Sequence, residues 1–434
     1  MDLTPVEIGA IGAVGLVLLG ILGVRIAYAA GLVGLLGLVW ILGWDSGLKT
    51  AGTIPHAKST TYSLTVLPMF ILVGYLAHYA GITKAAFEAA RRWFGWLPGG
   101  LATATVLAVA GFGAVSGSSA AAAAVFARVA IPEMLKEGYS KALASGSVAA
   151  GSILDSLIPP STLLVIYAII TDQSVGKLLI AGFVPGVFSA LVYVVMITLL
   201  ATKYPHLGPR TRAYSWSERF ASVPGVIPIF VVIFLVFSAM LYGWATPTEA
   251  GALAAFFVLI LAISNRTAFK DYKLALVETA KLTVVVFTLI WSIMIFVLFL
   301  GFADLPNYIA KWVNGLNLSP LMVLLCVYLL YIVLGMFVDA LGMMLLTLPI
   351  VFPLLMSLGY DPIWFGVVLV KLCGIGLLSP PFGLVCFIVS GVRPDISVQT
   401  VFKGVMPFIA ADILIIGVLT AFPEIVTFVV DIGK

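Results

Sequence analysis

Two short interruptions of an otherwise apolar sequence carry residue types that can bind a cation. Gly113–Ser119 (GAVSGSS) supplies three serine hydroxyls on a backbone loosened by small residues. Ile158–Ser161 (IPPS) contains two prolines, which lack amide donors and so free carbonyl oxygens about one turn earlier, near Leu154–Asp155. Because sodium prefers hard oxygen ligands, we predict that these segments form a sodium site. Its candidate ligands are Ser116, Gly117, Ser118, Ser119, Gly151, Asp155 and Pro159.

The same features recur 221 residues further along the chain. Pro132 corresponds to Pro353, Gly138–Tyr139 to Gly359–Tyr360, and Pro159–Pro160 to Pro380–Pro381. A fixed offset without gaps indicates an internal repeat, and matched Gly/Pro-interrupted segments in two halves indicate the binding site of a secondary transporter. One site per repeat gives two sodium ions. The second set of candidate ligands comprises Gly335, Asp339, Gly342, Gly376, Ser379 and Gly383.

The composition predicts a polytopic membrane protein. Of 434 residues, 62% are hydrophobic and only 10% are charged. This hydrophobic share is larger than the core of a soluble protein needs. No basic stripe exists outside short loops, so nucleic acid is not expected as a partner. Apolar runs of spanning length lie near residues 8–23, 27–43, 62–80, 176–201, 225–243, 247–264, 274–301 and 404–429.

Lysines and arginines in short loops set the expected orientation, because cytoplasmic loops carry an excess of them. Residues 201–220 and 265–273 are basic and are predicted to be cytoplasmic. The basic segment at 84–92 also lies on the cytoplasmic side only if residues 101–131 enter the membrane and return on the same side. The first broken crossing then runs outward and the second runs inward, so the repeats are inverted and both chain ends lie outside.

We therefore expect an all-α polytopic membrane protein with inverted structural repeats, two re-entrant helical hairpins and two broken helices. Residues 1–61 form N-terminal scaffold helices, and residues 202–273 form a cytoplasmic loop with linking scaffold helices. The first repeat, 62–201, contains an amphipathic arm helix at 84–97, a hairpin at 101–131 and a broken helix at 140–171. The second repeat, 274–429, contains the corresponding elements at 304–316, 321–352 and 361–392.

Three ionisable residues, Asp155, Asp339 and Lys371, lie deep in apolar segments, where an unpaired charge is costly. Asp339 is a candidate ligand or supporting carboxylate of the second sodium site. Asp155 and Lys371 meet near the pseudo-two-fold axis if the repeats pack symmetrically, either as a structural ion pair or at the substrate. The candidate substrate-binding residues, chosen for an anionic substrate, are Ser118, Ser119, Arg128, Asp155, Ser161, Lys371 and Pro381.

Simpler explanations compete with these assignments. Small residues also allow close helix packing, and we favour that explanation for Ala120–Ala124. Arg128 is equally compatible with a side chain that reaches the membrane surface.

Many motifs, in the same order along the chain, resemble those of the large membrane subunit of tripartite ATP-independent periplasmic (TRAP) transporters. They are Pro68–Gly74 (PMFILVG), Gly113–Ser119, Ile131–Met134 with Gly138–Tyr139, Ile158–Ser161, Ser174–Gly186, Trp244–Ala250 (WATPTEA), Gly335–Asp339 and Leu378–Leu384 (LSPPFGL). The resemblance implies a sodium-driven importer of organic acids in the bacterial inner membrane, working by an elevator movement without ATP. It also implies a small four-helix membrane subunit (Q-type) and a periplasmic substrate-binding protein.

The chain departs from the family pattern beside the expected cavity. Asp155 replaces a small or apolar residue, Gly374 an acidic residue and Val385 a common asparagine. These departures leave the substrate open between a carboxylate and a small sulfonate.

Two other functions remain to be weighed. A self-sufficient ion or organic-acid transporter of similar fold, without partner subunits, would show similar residues. An intramembrane hydrolase using Ser116 needs a nearby base, and the only histidine well inside a predicted span, His78, lies one helix away.

Overall fold

The computed structural model describes residues 3–22, 24–116, 118–316 and 318–432, and every regular element in these ranges is helical. The helices of the first half are α1 (Pro5–Ile21), α2 (Ile26–Leu42), α3 (Trp44–Ser59), α4 (Val66–Tyr79), α5 (Ile82–Phe94), α6 (Gly100–Ser116), α7 (Ser119–Lys136), α8 (Lys141–Ser152), α9 (Thr162–Ile170) and α10 (Val175–Lys203). The rest are α11 (Trp216–Ser222), α12 (Ile227–Leu241), α13 (Pro247–Ser264), α14 (Phe269–Phe302), α15 (Leu305–Gly315), α16 (Pro320–Gly335), α17 (Ala340–Ser357), α18 (Pro362–Leu378), α19 (Leu384–Val392), α20 (Val398–Ala421) and α21 (Glu424–Ile432). Short 3₁₀ turns lie at Tyr62–Thr65, Ile153–Ser156 and Val223–Gly225.

Five helices of the described chain are long and apolar enough to cross a membrane: α10, α13, α14, α17 and α20. Two bent helix pairs raise the count to seven if each pair is one span, and five further apolar helices are shorter. Leu191, Phe230 and Phe256 are among many large apolar side chains on the surface, as lipid contact requires. The expectation of a multi-pass membrane protein is confirmed.

The two halves contain the same order of helices at nearly constant offset. Helices α6 to α10 begin at residues 100, 119, 141, 162 and 175, and α16 to α20 begin at 320, 340, 362, 384 and 398. In the first half, Thr105 near the start of α6 contacts Met134 near the end of α7, so these helices form a hairpin. In the second half, Tyr331 of α16 bonds to Thr347 of α17, which gives the same arrangement.

The two broken helices lie antiparallel. Lys141 Nζ, at the start of α8, donates a 2.8 Å hydrogen bond to the carbonyl of Asp395, which follows α19. At the other end, the Tyr167 hydroxyl in α9 donates a 2.7 Å hydrogen bond to the carbonyl of Pro362 at the start of α18.

The bidentate contact with Arg393 holds the pKa of Asp395 at about 2, so this loop carboxylate is ionised at neutral pH.

Some elements were not expected from the sequence. Helix α3 is amphipathic and follows α2 directly, although Pro55 lies inside it. The apolar run at 404–429 is divided by Phe422–Pro423 into α20 and the short helix α21, because proline cannot continue the helical hydrogen bonds.

Helix α20 depends on a close backbone approach to α8. A Cβ atom on Gly404 would lie 2.0 Å from the carbonyl oxygen of Ala142, whereas a Cβ on Gly417 of the same helix would meet nothing within 4 Å. The two helices can therefore pack at this distance only with glycine at position 404.

We expect Gly404→Ala to lower the stability by about 1–3 kcal/mol, because a single added carbon forces the two helices apart. Thermal unfolding of the purified protein in detergent measures the change. Gly417→Ala is the matched control and should leave the midpoint nearly unchanged. Equal midpoints for both variants would contradict the tight α8–α20 contact.

Candidate functional site

The first helix break is closed by serine hydrogen bonds. Ser161 caps α9 by accepting a 3.3 Å bond from the Leu164 amide, and its hydroxyl donates to the carbonyl of Ser156 across the break. Residues 157–161 are all buried, and the Pro159–Pro160 bond is cis. Ser161, a candidate substrate ligand, therefore already satisfies backbone groups on both sides of the break.

Asp155 lies in the 3₁₀ turn before this break and is buried against the tip of the first hairpin. Its Oδ1 accepts a 2.6 Å hydrogen bond from Ser119 Oγ at the start of α7. A Cβ atom on Gly113 would lie 2.5 Å from Asp155 Cβ, so glycine is needed where α6 passes this carboxylate. Within the described ranges, no lysine or arginine lies within 4 Å of the Asp155 carboxylate.

Two other candidate ligands of the first site, Ser118 and Gly151, lie near Ser119 and Asp155 in the chain. Ser118 caps α7 by accepting from the Ala121 amide at 3.3 Å. Gly151 packs against α6, where a Cβ would lie 3.1 Å from Val106 Cα. Gly117 and the side chain of Ser116 lie outside the described residues.

The second break is built similarly but is more open. Ser379 is buried, and its hydroxyl donates a 2.8 Å bond to the carbonyl of Ile375. Gly383 precedes α19, and the Pro380–Pro381 bond is cis. Pro380, Pro381 and Phe382 are exposed, in contrast to the sealed first break.

The tip of the second hairpin reaches this break through glycines. A Cβ on Gly335 would lie 2.6 Å from Gly376 Cα, so only glycine at both positions lets the backbones approach this closely. Asp339 caps α17 by accepting a 3.1 Å hydrogen bond from the Gly342 amide, and Asp339 is exposed. The structure thus brings together the predicted residues of each half: Gly113, Ser119 and Asp155 in one, and Gly335 and Gly376 in the other.

The prediction that Asp155 and Lys371 meet is wrong. Lys371 Nζ lies 2.5 Å from Asp412 Oδ1 of α20, and both residues are almost completely buried. The Tyr193 hydroxyl of α10 donates to both Asp412 oxygens at 2.8 Å, and the Lys371 ammonium lies 5.2 Å from the Tyr193 ring centre. Lys371 therefore faces the long helices α10 and α20, where its charge is neutralised.

Sequence reasoning missed Asp412 and Tyr193. Asp412 lies in the middle of an apolar run, which is the same signal that singled out Asp155. The role of Tyr193 had no comparable signal, because buried tyrosines are common. These three side chains, Lys371, Asp412 and Tyr193, are called the buried triad below.

Arg128 is exposed on α7. It lies nine residues beyond Ser119, on a helix face where the neighbouring residues Ala121, Ala124 and Val125 are partly exposed. In the described chain its guanidinium forms no ion pair within 4 Å. This arginine therefore offers its positive charge at the protein surface.

The family described as "Tripartite ATP-independent periplasmic transporter, DctM component" matches residues 13–425. The chain belongs to this family. Among similar DctM-family proteins, the C4-dicarboxylate TRAP transporter large permease protein DctM of Pseudomonas aeruginosa is 34% identical over 374 residues, covering 85% of this chain and 86% of that protein. The isethionate TRAP transporter permease protein DctMQ of Oleidesulfovibrio alaskensis is 29% identical over 384 residues, covering 86% of this chain and 59% of that protein.

The fold of this DctM-family chain is similar to that of the YdaH transporter of Alcanivorax borkumensis. The TM-score is 0.57 at 16% identity, covering 87% of this chain and 90% of that chain. The relatives are transporter permease proteins, so the DctM-family chain is a membrane permease subunit and not an enzyme.

The buried triad predicts a specific pattern of stability. Lys371→Met should cost about 3–5 kcal/mol, because it leaves Asp412 as an uncompensated buried charge. The double variant Lys371→Met/Asp412→Leu should recover most of this loss, since no charge then remains. Thermal unfolding of both variants and of Tyr193→Phe measures the pattern, and a double variant no more stable than Lys371→Met would contradict it.

Proposed function

We propose that this permease subunit imports a small organic anion together with sodium, by an elevator movement that carries two broken helices and two hairpins across the membrane. The observation that carries the proposal is the antiparallel pair of broken helices, each reached by a hairpin tip at matched positions. This arrangement supports inverted repeats with re-entrant hairpins, which is the architecture in which secondary transporters bind substrate near the membrane centre.

The first sodium site is centred on Asp155 and Ser119. A buried carboxylate with a hydroxyl 2.6 Å away and no basic residue within 4 Å in the described chain suits a hard monovalent cation. The cation would neutralise a charge whose burial is otherwise costly. Ser118 and the carbonyls near the break complete the proposed ligand set.

The second sodium site lies where Gly335 meets Gly376. Position 376 corresponds to Asp155 at the 221-residue offset, so this site has no carboxylate from the broken helix. Backbone carbonyls near Ser379 and Gly383 would supply oxygens, and Asp339 would supply the negative charge. Two ions then enter with one anion.

The proposed substrate is a small carboxylate or sulfonate. Exposed Arg128 offers a charge for an acid group, and the N-terminus of α9 lies at the first break, where its amides favour an anion. The names of two relatives, one for C4-dicarboxylates and one for isethionate, support this class. We do not assign Lys371 to the substrate, because Asp412 neutralises it.

Partners and orientation complete the proposal. Family membership supports a periplasmic substrate-binding protein and a small membrane subunit, and the fused permease of Oleidesulfovibrio alaskensis supports the latter. Helices α1 to α3 and α11 to α13 would form the fixed scaffold, and both chain ends would face the periplasm.

Reconstituted uptake tests the function. Proteoliposomes containing this chain and its small subunit, supplied with loaded binding proteins, should accumulate radiolabelled C4-dicarboxylate or isethionate only with an inward sodium gradient. Sodium-driven uptake of free substrate, without a binding protein, would favour a self-sufficient transporter. Uptake that is independent of sodium would exclude both sodium sites.

We expect Asp155→Asn and Ser119→Ala to raise the sodium concentration needed for half-maximal uptake by roughly tenfold or more, since a hydrogen bond to a charged group contributes about 1.5–3 kcal/mol. Ser147→Ala is the matched control, because Ser147 is buried in α8 and bonds only within its own helix. An unchanged sodium dependence in Asp155→Asn, with normal expression, would remove Asp155 from the site.

A second pair of substitutions tests the other site. Asp339 and Asp361 both cap a helix through their side chains. Asp339→Asn should raise the sodium concentration needed for half-maximal uptake, whereas Asp361→Asn should leave that concentration unchanged. Equal effects would mean that Asp339 acts only as a helix cap.

A further inference from the structure

A wholly apolar groove is lined mainly by α5, α6, α10 and α12. Its volume is about 1040 Å³, and each of its 23 lining residues is Ala, Gly, Val, Leu, Ile, Phe or Trp. It extends to Ile158, beside the first helix break. Leu191, Phe230 and Phe234 on its rim are exposed, so the groove opens sideways toward the surrounding lipid.

The groove is too large to be a packing fault and too apolar for an organic anion. Protein interiors contain few voids larger than a water molecule. A carboxylate or sulfonate placed here would lose its hydration without gaining a polar partner. The occupant must therefore be a hydrocarbon chain or an apolar protein surface.

Two arginines, Arg92 and Arg219, neighbour residues that line one end of this groove. Arg92 donates a 3.3 Å bond to the carbonyl of Glu218, and Trp93 Nε1 donates a 3.2 Å bond to the carbonyl of Arg219, so α5 and α11 meet here. Trp93 and Phe220 line the groove at this end. In the described chain, neither Arg92 nor Arg219 has a carboxylate within 4 Å, although the Glu218 carboxylate is close enough to interact electrostatically with Arg92. The Arg219 guanidinium lies 4.9 Å from the Trp216 ring centre, and its Nε is buried without a hydrogen-bond partner.

Neighbouring arginines show that this lack of neutralisation is local. Arg91, the residue before Arg92, pairs with Glu133 at 3.5 Å and Glu137 at 3.4 Å. Arg212 pairs with Glu218 at 3.3 Å. Arg92, Arg212 and Arg219 thus have one nearby carboxylate among them, Glu218, so an excess of positive charge remains where the apolar groove ends.

We propose that this groove binds one anionic glycerophospholipid. The phosphate lies at Arg92 and Arg219, because a guanidinium fork matches phosphate oxygens. Trp93 lies at the level of the headgroup, as interfacial tryptophans do, and the acyl chains follow α6, α10 and α12. The lipid fills a gap that the helices of this chain leave open.

Lipid retention by the purified full-length chain tests this proposal without any transport assay. We expect native mass spectrometry to show one retained phosphatidylglycerol and thermal unfolding to shift upward with this lipid. Phosphatidylethanolamine and inorganic phosphate should each give a much smaller shift. Arg92→Gln/Arg219→Gln should reduce retention about tenfold, whereas the control Arg266→Gln/Lys270→Gln, around the start of α14, should not.

A second variant tests the acyl part of the site. Ala90 lines the groove, and Ala90→Trp should displace the lipid by filling it. Leu253→Trp, on the exposed face of α13, is its control and should retain the lipid.

Four results obtained with this chain alone would overturn the proposal. They are undiminished retention in the arginine double variant, undiminished retention in Ala90→Trp, equal stabilisation by inorganic phosphate, and equal retention of phosphatidylethanolamine. Displacement of the lipid by the small membrane subunit would also overturn it, since the groove would then be a protein docking surface. None of these readouts depends on sodium or substrate, so the sodium proposal and the lipid proposal can fail separately.

Discussion

The need to pair every backbone group inside the membrane governs this structure. Two broken helices contain Pro–Pro sequences that cannot continue a helix, and lipid would offer no hydrogen bonds to the freed groups. The chain encloses each break: Ser161 and Ser379 bond to backbone carbonyls beside the prolines, and the two hairpins bring Gly113 and Gly335 against the broken helices. A hairpin and a break therefore occur together in each half of the chain.

Buried charge is handled in two different ways. Lys371 and Asp412 neutralise each other, and Tyr193 occupies both carboxylate oxygens, so this cluster ties α18 to α10 and α20 without needing a ligand. Asp155 receives only the Ser119 hydroxyl among the side-chain contacts described. A neutral cluster suits a permanent helix contact, whereas a carboxylate without a basic partner suits a site that a cation enters and leaves.

The sequence allowed prediction of the elements whose signals are local. The prolines and glycines at Ile158–Ser161 and Leu378–Leu384 coincide with the observed breaks, because these residues act on their own backbone. The partner of Lys371 could not be predicted in the same way. It depends on how α18 is rotated against α20, and rotation is set by packing along the whole helix. Symmetry between the repeats was a poor guide here, since the residues that correspond to Lys371 and Asp412 are Ala150 and Leu191.

The two repeats therefore share a backbone plan but differ in chemistry. Asp155 in the first half corresponds to Gly376 in the second, where Gly335 approaches so closely that a side chain cannot fit. The first break is sealed, while Pro381 and Phe382 of the second are exposed, and Phe382 packs against Phe337 of the facing hairpin tip. A cation at the first site would be held by a buried carboxylate, and one at the second by carbonyl oxygens near a surface acid. Two such sites would differ in affinity, so the ions would bind in sequence, with the sealed site requiring more rearrangement to fill.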